Sequence, residues 1–209
     1  MINQAPATNI AENESLNRYC AVLRQQFSLN RRLLFVQIPH NLLSVFNRET
    51  ALQRGYYAFP PTGLQYLYEA IRDRGFEVRI LDINYELLVR VHEQVDFDPA
   101  NWLTILDDAL EEFEPSIVGV SCMFDMAISA LIETLERIRT YGRSITISGG
   151  VIATYEWKTL IGQHLSHFVV RGEGENKLNF LLDNILGEVR DRIPVPGGSC
   201  KNKFRNVPK

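Results

Sequence analysis

The sequence predicts a three-layer α/β sandwich, an open five-stranded parallel sheet of order 2-1-3-4-5 with helices on both faces. Two observations carry this. Five short runs lack a helical period and read as strands, the first of them an apolar run that is buried and the fourth alternating. Between them lie longer stretches whose apolar residues recur at helical spacing. Strand–helix alternation of this kind implies a parallel sheet, and right-handed crossovers leave few ways to order it. A third feature points to where such a fold works: "ITISGG" (145–150) closes the fourth strand on Gly149 and Gly150. Two glycines there fill no core and allow something to approach the backbone closely.

The elements follow in order. Residues 1–30 are polar and read as a leader, partly helical around Leu16 to Leu23. The first strand is "RRLLFVQIP" (31–39). A long connector follows, containing "FPPTG" (59–63), where Pro60 and Pro61 stop any strand and Thr62 is a helix N-cap candidate. Leu64, Leu67, Tyr68 and Ile71 share a helical face, and Gly75 ends that helix. "FEVRILDI" (76–83) is the second strand, with Asp82 placed to cap the next turn. After an irregular stretch, Ile105, Leu106, Ala109, Leu110 and Phe113 mark a helix. "SIVGVSC" (116–122) is the third strand, and Ile128, Leu131, Ile132, Leu135 and Ile138 form the stripe of the helix after it. "SITISGG" (144–150), a short helix over 154–164, "HFVVRG" (167–172) and a helix over 175–188 complete the domain. Residues 189–209, rich in Pro, Gly and basic residues, read as a linker towards a further domain.

Composition narrows the function. The chain has 209 residues, 45% hydrophobic and 22% charged, which suits one sizeable globular domain. No apolar run approaches the ~18 residues of a membrane span. The start "MINQAPATNIAENES" lacks the basic-then-apolar order of a signal peptide. The net charge of −3 and the scattered basic residues do not describe a nucleic-acid surface. Cys20, Cys122 and Cys200 are far apart and odd in number, so a reducing, cytoplasmic setting is expected.

In an open sheet of this order, ligands bind outside the carboxyl ends of the strands. His40, Ser121, Cys122, Gly149, Gly150 and Gly172 sit there. The first strand is not followed by GxGxxG, and no Walker A loop occurs, which disfavours conventional dinucleotide or ATP binding. The third strand ends "SC", with no aspartate to accept a phosphoryl group, which excludes a phosphorelay receiver.

What remains is "SCM" (121–123) followed, after 25 intervening residues, by Gly149 and Gly150. Together with "PPTGLQYLYEAIRDRGFEVRILDIN", "IVGVSCMF", "ISGGVIAT" and "FVVRGEGENKLNFLL", this resembles the N-terminal cobalamin-binding domain of cobalamin-dependent radical S-adenosylmethionine (SAM) enzymes. The resemblance covers about residues 32–188 and implies a flavodoxin-like (Rossmann-like) fold. It implies that the nucleotide tail of cobalamin slides into a slot beside the sheet, the serine facing its benzimidazole and the glycines making room. The cofactor-binding candidates it implies are Ser121, Cys122, Met123, Gly149, Gly150, Val151, Gly172, Glu173 and Gly174. The 4Fe-4S cluster and SAM would belong to a radical SAM domain of the same full-length chain or of a partner subunit. The whole would be a methyltransferase or a cyclase.

Two departures from the family pattern matter. The DxHxxG motif of classical cobalamin domains is absent, and only His40 in "IPHNLL" lies near its place. That fits the radical SAM branch, and it also fits a domain that has lost cobalamin. The cluster motif CxxxCxxC is absent too, so this sequence alone supports no radical chemistry. Other residues keep two readings. His40 caps a loop or meets the cofactor. Met123 and Phe124 pack the edge or touch the corrin. Glu173 binds ligand or joins Glu175 in capping the last helix. Tyr56, Tyr57 and Phe59 shield a corrin or dock a neighbouring domain. Two rival functions share the fold: a cobalamin-free docking or dimerisation relic, and a small-molecule or nucleotide sensor.

Overall fold

The computed structural model describes residues 7–40 and 43–188. Five parallel strands, β1 (Arg32–Gln37), β2 (Glu77–Asp82), β3 (Ile117–Ser121), β4 (Ile145–Gly149) and β5 (Phe168–Val169), form one sheet of order β2-β1-β3-β4-β5. This is the predicted topology. β1 and β3 lie inside the sheet and are buried almost throughout, which is why they read as unbroken apolar runs. β5 is shorter than its sequence run, although His167 and Val170 still donate backbone hydrogen bonds to Thr146 and Ser148 on β4.

Alternate strand residues feed two cores. Leu34, Val36, Val118 and Val120 face one layer, made by α4 (Ile83–Glu93), α5 (Leu103–Phe113), α6 (Ile128–Tyr141), α7 (Gly150–Tyr155) and α8 (Trp157–Gly162). Leu33, Phe35, Ile117 and Ile147 face the other, made by α1 (Ala7–Gln26), α3 (Thr62–Ile71) and α9 (Glu175–Leu186). A short α2 (Arg48–Leu52) sits in the long connector and packs near α4.

Four local expectations change. The stretch read as a leader is a 20-residue helix, α1, with Leu16, Cys20, Leu23 and, just after it, Phe27 buried against the sheet layer. Their 4-3-4 spacing is the signal that its polar composition hides. The stretch read as irregular after β2 holds α4, started by Asp82, whose carboxylate accepts from the Asn84 and Tyr85 amides. Thr62 is the first residue of α3 rather than its cap, and its hydroxyl donates to the Pro60 carbonyl. The helix placed at 154–164 begins at Gly150 and breaks into α7 and α8. The predicted linker, 189–209, lies outside the described residues.

Helix α9 is held from both sides. Arg24 of α1 donates to the Asn184 and Ile185 carbonyls, at 2.6 and 3.3 Å, where a cation complements the helix C-terminus. Arg74, which follows α3, grips Asp183 with both terminal nitrogens and also bonds Asn179. Among the described residues no helix is long and apolar enough to cross a membrane.

Candidate functional site

Parallel register brings Asp82, Gln37, Ser121 and Gly149 into one row at the carboxyl ends of β2, β1, β3 and β4. Below that row a slot runs between the sheet and helices α3 and α9. Its cavity volume is about 190 Å³, and it opens to solvent. Phe35, Gly119 and Ile147, register partners on three adjacent strands, form its floor. Leu64 and Leu67 of α3 and Leu178 of α9 form the facing wall. Gly119 accounts for the fit of the floor, because a Cβ there would stand 2.8 Å from Cδ1 of Phe35.

The glycine pair divides into two different requirements. Gly150 has φ +91°, and a Cβ on it would stand 2.5 Å from the Cys122 carbonyl oxygen. That oxygen accepts from the Ile152 amide, while the Cys122 amide donates to the Gly149 carbonyl, both at 3.1 Å. Gly150 therefore serves the chain itself, by welding the β3 and β4 loops together. Gly149 has φ −151°, which any residue adopts, and a Cβ there would have only the Val170 carbonyl oxygen nearby, at 3.9 Å. Among the described residues nothing requires a glycine at 149, and the position faces the slot.

The other sequence candidates separate in the same way. Ser121 lines the slot, level with Gly149. Cys122 is buried in the opposite layer, as strand alternation demands, and its thiol donates to the Phe124 carbonyl at 3.6 Å. Burial pushes that thiol up to about 11, and the Cys20 thiol likewise. Alkylation of the native protein at neutral pH is therefore expected to spare Cys20 and Cys122, both becoming reactive in denaturant. Labelling of either in the native fold, mapped by mass spectrometry, would contradict their buried placement.

Met123 stands half exposed at the slot's mouth, and Val151 is exposed beside it on the sheet edge, outside the slot lining. Gly172, Glu173, Gly174 and Glu175 form the mouth on the β5 side. Glu175 opens α9, where its charge suits the helix N-terminus, whereas Glu173 precedes the helix and is exposed. His40 packs edge-on against Phe124 with ring centroids 4.9 Å apart, and its amide donates to Asn84. Burial lowers the His40 pKa against the opposing pull of Asp82. Tyr56 is stacked on Phe46 in the connector, while Tyr57 and Phe59 are exposed.

Sequence reasoning missed the slot's interior: Phe35, Gly119, Leu64 and Leu67. One signal existed, the glycine at the centre of "IVGVS", where a strand interior otherwise disfavours it.

Comparisons with known proteins place the chain in a family. The family model described as B12 binding domain matches residues 50–182. The cytidylyl-2-hydroxyethylphosphonate methyltransferase of Streptomyces wedmorensis is 26% identical over 138 residues, 63% of this chain. The chain spans about a quarter of that relative's length, 26% of it. Among solved structures, the cobalamin-dependent S-adenosylmethionine radical enzyme OxsB with aqua-cobalamin bound superposes at a TM-score of 0.51 and 16% identity. The match covers 76% of this chain and 19% of that one, and at such identity the likeness is one of fold. A cobalamin-binding protein from Desulfitobacterium hafniense DCB-2 matches 80% of this chain and 66% of its own at 16% identity and a TM-score of 0.43.

Proposed function

Because the chain belongs to the B12-binding domain family, we propose that it holds a cobalamin, with the nucleotide tail in the slot and the corrin over the carboxyl edge of the sheet. Gly149 carries this reading. Its backbone conformation and its neighbours are open to a side chain, so the space beside it is free for a flat ring to lie against β4. The slot is apolar within and polar at its mouth, as suits a tail that enters base first.

In this reading Ser121 offers its hydroxyl to the tail. Gly172, with φ +71°, and Gly174, packed against Leu67, shape the mouth, with Glu173 beside the tail's polar part. Met123, Phe124 and Val151 support the corrin from below. Cys122 acts through its backbone alone, by fixing the turn at Gly150. Bound cobalamin supplies a cobalt centre suited to methyl transfer, while the protein binds, orients and shields it. The likeness to the methyltransferase and to OxsB supports placing this module in a radical SAM enzyme, with the 4Fe-4S cluster and SAM in another domain or subunit.

The test mixes the chain with hydroxocobalamin, desalts it and records the visible spectrum beside a Gly149→Trp variant. The parent is expected to keep the corrin absorbance. The variant, folded by circular dichroism, is expected to bind at least ~10-fold more weakly, about 1.4 kcal/mol. Equal retention by both would remove the tail from β4. No retention by the parent would remove the cobalamin reading from this chain.

A further inference from the structure

We infer that the slot selects corrinoids by the chemistry of the tail base, accepting a benzimidazole or another hydrocarbon-rich ring and rejecting a purine. This rests on the proposed cobalamin reading and adds a specificity to it. The floor offers no polar side chain at Phe35, Gly119 or Ile147, and the facing wall at Leu64, Leu67 and Leu178 offers none either. The backbone beneath is committed as well, since Phe35, Gly119 and Ile147 are paired in one parallel ladder.

Among the described residues, four with polar side chains line the slot. The Ser148 hydroxyl is fully buried and bonded to Ser166 at 2.9 Å, which takes it out of reach. Glu173 and Glu175 are exposed at the mouth. Only Ser121 remains, at the level where the slot begins. A benzimidazole has hydrocarbon edges that such walls can cover. A purine brings extra ring nitrogens, and in adenine an amino group, into a space whose apolar floor and wall offer no side-chain partner, leaving the Ser121 hydroxyl and the Val170 carbonyl near Gly149 at its upper end. Each polar group buried without a partner is costly, by roughly 1–3 kcal/mol.

Gly119 and Phe35 set how deep the base can go. The Phe35 ring lies so close to Gly119 that any side chain at 119 would drive it into the slot. The base therefore meets an aromatic floor rather than a water-filled end.

The experiment measures dissociation constants of the unaltered chain for three corrinoids, by quenching of protein fluorescence. Cobalamin carries dimethylbenzimidazole, an adenine-tailed cobamide carries a purine, and cobinamide has no nucleotide tail. The expected order is cobalamin tightest, with the adenine form weaker by ~10–100-fold, the range in which apolar pockets discriminate. Equal affinity for cobalamin and the adenine form overturns the selectivity. Cobinamide binding as tightly as cobalamin overturns it too, by taking the tail out of the slot, while leaving corrinoid binding intact. Binding of none of the three overturns both this inference and the reading beneath it.

Discussion

A chain that starts at Leu29 is expected to lose its cooperative fold. The residues removed include α1 and Phe27 just after it, and Leu16, Cys20, Leu23 and Phe27 are each no more than 8% exposed. Burying a Leu or Phe side chain stabilises by about 1.5–3 kcal/mol, so Leu16, Leu23 and Phe27 together contribute on the order of 5–9 kcal/mol. A whole domain is stable by only about 5–15 kcal/mol. The deletion also bares the apolar face of α9 and strips the Arg24 guanidinium from that helix's last carbonyls. The expected readout is a non-cooperative urea transition with dye-binding apolar surface. Leu23→Ala provides the graded version, with a loss of about 2–5 kcal/mol. An unchanged urea midpoint for both proteins would make α1 an accessory.

Gly150→Ala is expected to destabilise the fold by about 2–5 kcal/mol, while Gly149→Ala changes stability by less than ~1 kcal/mol. The left-handed φ of Gly150 costs any other residue, and the new Cβ would collide with the Cys122 carbonyl at 2.5 Å. That carbonyl is not free to retreat, because it holds the Ile152 amide at the start of α7. Gly149 has neither constraint, and an alanine there restricts the unfolded chain without strain. Urea midpoints at constant slope report both values. Matching losses at the two positions would refute the division of labour between the glycines.

The sheet was legible because β1 and β3, covered on both faces, stand out as apolar runs, while β4 shows the period-two alternation of Ile145 and Ile147 with Thr146 and Ser148. The order 2-1-3-4-5 followed from connection rules rather than from any residue. Helix α1 was hidden because only a narrow stripe of it is apolar, and polar residues fill the rest. Helix α4 was hidden because Leu87, Leu88, Val89 and Val91 cluster, which blurs the stripe of its buried Ile83, Leu87 and Val91. At the site, "SCM" was read as a unit, although neighbouring strand residues point to opposite faces. Ser121 enters the slot and Cys122 leaves it. The slot itself is written in no local stretch. Its floor is the register of three strands and its wall comes from helices over 62–71 and 175–186, a juxtaposition that only folding creates.

The grip of Arg24 on Asn184 joins residues 160 positions apart. At ribosomal speeds that interval lasts roughly 8–30 s. Through it the first helix emerges with its apolar stripe uncovered, waiting for a partner that is still being translated. The wall that closes the slot is also the last secondary structure of the described chain to be made. The groove therefore exists only once α9 has been made: a nascent chain halted before α9 has a sheet edge and no wall facing it.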